Sequence, residues 1–144
     1  MKIKKLEKSD MDEALKLVMN VFMMFEAPDY IDEGIVSFRK CINSREYIDN
    51  LAIYGAFDDD NVIGVIATRN EGNHIALFFV HGKYHRQGIG KRLFETVIDN
   101  STENMITVNS SPYAAEVYHH LGFIDTDTEQ LVDGMRFIPM IYRK

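Results

Sequence analysis

One stretch constrains this chain more than any other: Phe78-Phe79-Val80-His81-Gly82-Lys83-Tyr84-His85-Arg86-Gln87-Gly88-Ile89-Gly90-Lys91-Arg92-Leu93-Phe94. An apolar run of strand formers, Ile75 to Val80, passes through a short polar loop and the pair Gly88 and Gly90. The chain then takes up a helical spacing in which Ile89, Leu93, Phe94, Val97 and Ile98 share one face. The first-turn amides of such a helix have no intrahelical acceptor, and the helix dipole adds partial positive charge there. Glycines let an anion come close, and Arg86, Lys91 and Arg92 add full charges. Residues 86–91 therefore read as a phosphate cradle. The same pattern also fits a plain strand-to-helix turn with a solvated basic face. It is not a Walker loop, because the spacing differs and no Lys-Ser/Thr pair follows Gly90.

The rest of the chain has to fit around that unit. Its 144 residues suit a single domain, 1–144, with a substantial core. An apolar fraction of 46% with 26% charged residues belongs to a water-soluble globular protein. No apolar run approaches a membrane span, and Met1-Lys2-Ile3-Lys4-Lys5-Leu6 lacks a signal peptide's apolar core. A lone cysteine, Cys41, excludes an internal disulfide framework and suits a reducing cytoplasm. Its place in a helical pattern suggests a buried structural thiol rather than a nucleophile. The net charge of −6 argues against a nucleic-acid partner and is compatible with a cationic small substrate.

Taken in order, Lys2–Leu6 suits an edge strand. Ser9 is placed to cap a helix carrying Met11, Ala14, Leu15, Val18, Phe22 and Phe25 on one face, which Ala27-Pro28-Asp29 stops. A second helix is expected from about Asp32 to Asn43, burying Ile35, Phe38 and Ile42. Met19, Met23, Met24, Phe22 and Phe25 crowd the end of the first helix, either as core or as the adaptable wall of a ligand groove. Leu51–Phe57, Val62–Thr68 and His74–Val80, linked by Asp58–Asn61 and Glu71-Gly72-Asn73, form an antiparallel meander. The triple Asp lacks the ligand alternation and glycine of a calcium loop, so it reads as a turn. After the helix, which should end near Asn100-Ser101, Met105–Val108 returns as a parallel strand through a right-handed crossover. Ser111 and Pro112 open another helix, Gly122 ends it, and Phe123–Thr126 and Arg136–Tyr142 are final strands joined by a polar connection.

Two segments together resemble the GNAT N-acetyltransferases. His85-Arg86-Gln87-Gly88-Ile89-Gly90 is similar to that family's acyl-CoA signature, with His85 where Gln or Arg usually stands. Tyr118-His119-His120-Leu121-Gly122-Phe123 is similar to its second recognisable segment, at the expected distance and in the expected helix. A further departure is Ser111 in place of an Asn seven residues before the tyrosine, with Asn109 two residues earlier.

The resemblance implies an α/β (α+β) fold: a mixed, mostly antiparallel sheet of six to seven strands with helices on both faces. A splayed parallel pair would hold acyl-CoA, with main-chain groups of Phe78, Phe79 and Val80 pairing with the pantetheine arm. It implies acetyl-CoA as cosubstrate, no metal, and a small-molecule or peptide amine as acceptor. Arg86, Gln87, Gly88, Ile89, Gly90, Lys91, Asn109 and Ser111 would bind the donor. The first two helices and their connection would cover the acceptor, which makes Phe25, Glu26, Asp29 and Tyr30 candidates for reading it. Tyr118 takes the general-acid position that protonates the CoA sulfur. His74 stands where some branches carry a Glu base, eleven residues before the motif. A neutral imidazole suits that duty, although a strand-end histidine also fits. No nucleophile with a nearby base is evident, which agrees with direct attack. A non-catalytic acyl-CoA sensor is the alternative. Apolar residues Phe137, Ile138, Met140 and Ile141 near a sheet edge suggest a homodimer.

Overall fold

A computed structural model describes residues 1–144. Its centre is β3 (Asn61–Arg69), buried without interruption from Val62 to Thr68 because both faces of the sheet are covered. β1 (Lys2–Lys5), β2 (Ala52–Asp58), β3 and β4 (His74–Val80) run antiparallel in that order, as the alternating pattern and Asp/Asn turns require. β5 (Met105–Ser110) joins β4 parallel, and β8 (Met135–Arg143) lies antiparallel between β5 and the short β6 (Ile124–Asp125). β7 (Gln130–Val132) pairs with β8, so the sheet has eight strands rather than six or seven.

α1 (Met11–Val21) and α2 (Asp32–Ile42) cover one face, packing Val18, Phe22 and Phe38 against Val65, Leu77 and Phe79. α4 (Ile89–Asn100) and α5 (Ala115–Leu121) cover the other, where Leu93, Val97 and Tyr118 meet Ile66, Ile75 and Ile106. No helix is long and apolar enough to cross a membrane.

Several local expectations change. α1 starts at Met11 after a tight turn in which the Glu7 amide donates to the Asp10 carboxylate (3.0 Å), not at a Ser9 cap. A further helix, α3 (Arg45–Asp49), follows α2, its start capped by Ser44, whose hydroxyl accepts from the Tyr47 amide (3.2 Å). Ile35 is only half-buried, while Phe38 and Ile42 enter the core. Cys41 is exposed, not buried, because its position on α2 points to solvent. The polar connection after β6 folds into a hairpin instead: Asp133 (φ 53°) and Gly134 (φ 76°) both adopt the left-handed backbone that a tight two-residue turn needs. β8 is therefore an interior strand flanked on both sides, with Met140 and Ile141 buried. The edge on this side is β6, which leaves Ile124 exposed, so of the apolar residues expected there Met140 and Ile141 are withdrawn into the core.

Candidate active site

The parallel pairing of β4 with β5 lasts only two residues, His74 with Thr107 and Ile75 with Val108. Its end coincides with a bulge. Ala67 pairs with Leu77 and Thr68 with Ile75, so Ala76 is the extra residue on β4. The bulge breaks the two-residue alternation, so Ile75 faces the α4 side while Leu77 and Phe79 face α1 and α2. Beyond it β4 has no partner on its β5 side, and the two strands part into a cleft.

The His81 amide donates to the Ile63 carbonyl (2.8 Å), which fixes the hydrogen-bonding parity of the strand. Leu77, Phe79 and the His81 amide spend their main-chain groups on β3, while Phe78 and Val80 turn theirs toward the cleft side. Phe79 is thus a correction: its main chain is committed to β3, and its side chain packs against Phe38 with ring centroids 5.9 Å apart.

The cleft encloses about 350 Å³ and is lined by Glu26, Phe78, Phe79, Val80, Tyr84, His85, Arg86, Gly88, Ile89, Gly90, Tyr113, Glu116 and Tyr118, among others. At its mouth Arg86 (φ 64°) and Gly88 (φ 80°) both have left-handed backbones, a succession that curls the loop ahead of α4. A Cβ on Gly88 would meet nothing within 4 Å, so glycine is required there for its backbone angle rather than for space. The first bond of α4 runs from the Arg92 amide to the Gly88 carbonyl (3.1 Å). The amides of Ile89, Gly90 and Lys91 therefore have no helical acceptor and face the cradle end of the cleft. Gln87 braces the loop by donating to the Lys83 carbonyl (3.1 Å), and the Lys91 side chain is exposed.

His85 does something the motif alone does not reveal. Its Nε2 donates to the Val80 carbonyl at 2.6 Å, and its ring lies 4.9 Å from that of Phe25. Phe25 sits between His85 and Tyr113 (5.4 Å) and faces a neighbouring groove of about 770 Å³ along α1. That groove, lined by residues such as Lys16, Met23, Met24 and Lys83, contains neither the free strand groups nor Tyr118.

Tyr118 is buried, edge-on to Phe78 (5.8 Å) and Phe123 (5.3 Å). Burial raises its pKa well above the ordinary phenol value, and the Glu26 carboxylate raises it further, so the group stays protonated. Its hydroxyl makes no hydrogen bond within the protein, yet no sealed side-chain oxygen or nitrogen lacks a partner, so it opens to the cleft.

Glu26 comes from the last residue of a widened π turn, Phe22–Glu26, that continues α1. The turn keeps Phe22 in the core while bringing Glu26 to the cleft wall. Burial pushes its carboxyl up to about 7; hydrogen bonding with Ser111 opposes this and the Asp29 charge adds to it.

Other expected site residues lie elsewhere. His74 belongs to the paired part of β4, with Nδ1 bonded to the Thr107 hydroxyl (2.8 Å), and does not line the cleft. Burial, helped by the Arg69 charge, lowers its pKa to about 4. Asn109 is exposed on β5, pairs with Pro139 of β8 and does not line the cleft. Ser111 is buried beside Glu26 at the cleft wall, and its hydroxyl also accepts from the Ala114 amide (3.2 Å), capping the turn before α5. Tyr30 leans on Phe22 (5.6 Å) in the core. Tyr84, Tyr113 and Glu116 line the cleft and were not singled out by sequence; only their nearness to the two motifs marks them. No group of three or more His, Cys, Asp and Glu side chains is placed to hold a metal ion.

Comparison with known proteins agrees with this architecture. The family model described as "Acetyltransferase (GNAT) domain" matches residues 26–144. A GCN5-related N-acetyltransferase from Rhodopseudomonas palustris superposes with a TM-score of 0.86 at 15% identity, covering 99% of this chain and 95% of that one. The PaiA N-acetyltransferase of Thermoplasma acidophilum, solved with coenzyme A, gives 0.78 at 23% identity, covering 99% and 98%. The ribosomal-protein-S18-alanine N-acetyltransferase of Escherichia coli gives 0.67 at 18%, covering 99% and 92%. At these identities the structures speak for the fold alone. No curated protein matches by sequence.

Proposed function

The chain belongs to the GNAT acetyltransferases, and from that premise we propose that it moves an acetyl group from acetyl-CoA to a primary amine of a small molecule or peptide. The observation that carries this reading is the cleft beyond the Ala76 bulge, where the main-chain groups of Phe78 and the amide of Val80 have no strand partner beside a curled basic loop. An extended, amide-bearing pantetheine arm can add there as a short strand. Its pyrophosphate fits the orphan amides of Ile89, Gly90 and Lys91, with Arg86 supplying charge. The cleft-facing amide of Val80 or Phe78 would polarise the thioester carbonyl as negative charge develops on its oxygen.

Tyr118 then has one task. A thiolate leaving into a partly desolvated cleft needs a proton, and a buried, protonated phenol opening to that cleft can supply it. Transfer is direct, since the cleft offers no nucleophile coupled to a base.

The test is twofold. Acetyl-CoA should raise the melting temperature, because it binds only the folded chain. A thiol-release screen over polyamines, aminoglycosides, amino acids and N-terminal peptides should find an acceptor. Tight acetyl-CoA binding with no amine acetylated would make the chain an acyl-CoA sensor instead.

A further inference from the structure

The reaction just proposed leaves one requirement unmet. Aliphatic amines reach the enzyme protonated, and a nitrogen without a lone pair cannot attack. His74, the residue that the family resemblance offers as base, is tied to Thr107 in the paired part of β4 and does not line the cleft. Two carboxylates line the same cavity as Tyr118 and the free strand groups: Glu116 is exposed on α5, whereas Glu26 is half-buried on the wall contributed by the end of α1.

We infer that Glu26 is the acceptor-side catalytic residue: its carboxylate receives the substrate as an aliphatic primary ammonium and takes the proton that frees the attacking nitrogen. This inference rests on the acetyl-transfer reading and deepens it. The cavity places Glu26 on one wall and Tyr118 with Phe78 on another, so one chamber holds a proton acceptor and a proton donor. The π turn is the structural device behind this. It is an irregular turn of the kind found at functional sites, and Glu26 is its last residue.

The charged and titratable surroundings suit the role. On its own loop Asp29 adds negative charge nearby, and Tyr30 stays protonated, its pKa raised by burial and by Glu26 itself. From α5 come Tyr118 and Glu116, and from the segment before it Tyr113. His85 and Arg86 approach from the loop before α4, and Arg136 on β8 donates to the Asp29 carbonyl (3.0 Å) and to the Glu129 carboxylate (3.0 Å). A carboxyl lifted to about 7 is basic enough to accept a proton near neutrality and still charged enough there to attract an ammonium.

The protons balance. The first leaves the ammonium for Glu26, and the lone pair attacks the thioester carbonyl to form the C–N bond. As the C–S bond breaks, Tyr118 protonates the sulfur. The second nitrogen proton leaves the tetrahedral adduct and restores the Tyr118 phenol. Glu26 releases its proton to solvent, so the turnover yields amide, CoA thiol and one proton.

The test uses the intact chain with acetyl-CoA. Carboxyl carbon NMR of the wild type against Glu26→Gln assigns the Glu26 resonance, which should titrate near 7; a midpoint in the ordinary carboxylate range would overturn the inference without needing an acceptor. On an acceptor from the screen, Glu26→Gln should lower kcat/KM by roughly a hundredfold or more. It should also remove the acidic limb of the pH profile while leaving acetyl-CoA affinity intact. Alkylamines should be acetylated and aniline, uncharged at neutral pH, should not. An unchanged rate and pH profile in Glu26→Gln would overturn the base role, whereas failure of the wild type to bind acetyl-CoA would instead sink the reading beneath it.

Discussion

The imidazole of His85 donates to the carbonyl of Val80 at 2.6 Å, bridging the loop ahead of the phosphate cradle to the strand that should hold the pantetheine. The carbonyl can only accept, so Nε2 carries the proton, and the ring's flank rests on Phe25. A residue that departs from the family motif thus joins the donor side of the cleft to the end of α1.

That contact gives the first prediction. His85→Leu removes a donor to a half-buried carbonyl, an effect of about 1 kcal/mol, so acetyl-CoA affinity should fall several-fold. His85→Gln restores a donor of similar reach and should recover most of the loss. Titration calorimetry on both variants decides it, and equal affinity in His85→Leu would make the contact incidental.

Gly88 carries the second. Its φ of 80° is costly for any residue with a Cβ, while open space around it means no steric clash would confuse the result. Gly88→Val should therefore cost about 1–2 kcal/mol in stability and abolish the thermal shift produced by acetyl-CoA. Gly90→Val would add atoms beside the Phe78 ring, which already lies 3.4 Å from where a Cβ would stand, and should block the same shift. Full acetyl-CoA stabilisation in both variants would remove the cradle from the site.

The third concerns Tyr118. Tyr118→Phe keeps the ring packed on Phe78 and Phe123 but deletes the proton. Acetyl-CoA binding should hold, while the transfer rate falls by roughly two orders of magnitude. A full rate in this variant would reduce Tyr118 to packing.

Much of the fold is legible in the sequence. Alternation and Asp/Asn turns point to the meander, helical spacing to α1, α2 and α4, and the glycine spacing to the cradle, while Tyr118 is marked only by the resemblance of Tyr118–Phe123 to a GNAT segment. The β7–β8 hairpin was not read, although Asp133-Gly134 is a strong tight-turn pair, because the flanking strand of Gln130–Val132 is too short to show alternation. Counting back eleven residues from the motif led to His74, but a count along the chain cannot see where β4 stops pairing. The Ala76 bulge, which decides that, has no signature in a run of apolar residues. The resemblance offers Glu26 as a reader of the acceptor; the base role proposed for it rests on the cleft and the burial around it, which are tertiary properties.

The fourth prediction tests how the acceptor side is held. The hairpin grips α2 backbone to backbone: a Cβ on Gly34 would overlap the Gly134 carbonyl, and Ser37 donates to the Asp133 carbonyl (2.8 Å). Gly134→Ala faces both a positive φ and the Gly34 backbone, so a loss of about 3 kcal/mol, or roughly 10 °C in Tm, is expected. Arg136, by contrast, ties the hairpin to the Asp29 carbonyl and to Glu129 (3.0 Å) in the open. Arg136→Ala should leave Tm nearly unchanged. If the two variants melt alike, the glycine contact is not what holds the hairpin.

The last prediction sets Glu26 and His74 against each other in the pH dependence of stability. Folding raises the Glu26 pKa from 4.5 to about 7, so between those values the folded chain binds more protons than the unfolded one. Its contribution is fully present below pH 4.5 and is lost as pH rises through 7. His74 runs the other way. Its pKa falls from 6.5 to about 4, so the unfolded chain takes up the proton first and stability is lost as pH drops from about 6.5 to about 4. Glu26→Gln cannot ionise, and should therefore raise Tm at pH 8 while changing it little at pH 4, by an amount on the order of 1–2 kcal/mol given the cleft's access to water. His74→Gln should instead be stabilised, relative to wild type, only at the acid end. Thermal melts of the three proteins from pH 4 to pH 8 resolve the two signs. A Glu26→Gln chain that melts with the wild type at pH 8 would mean that the carboxylate is not desolvated, and that its cleft is not the chamber described.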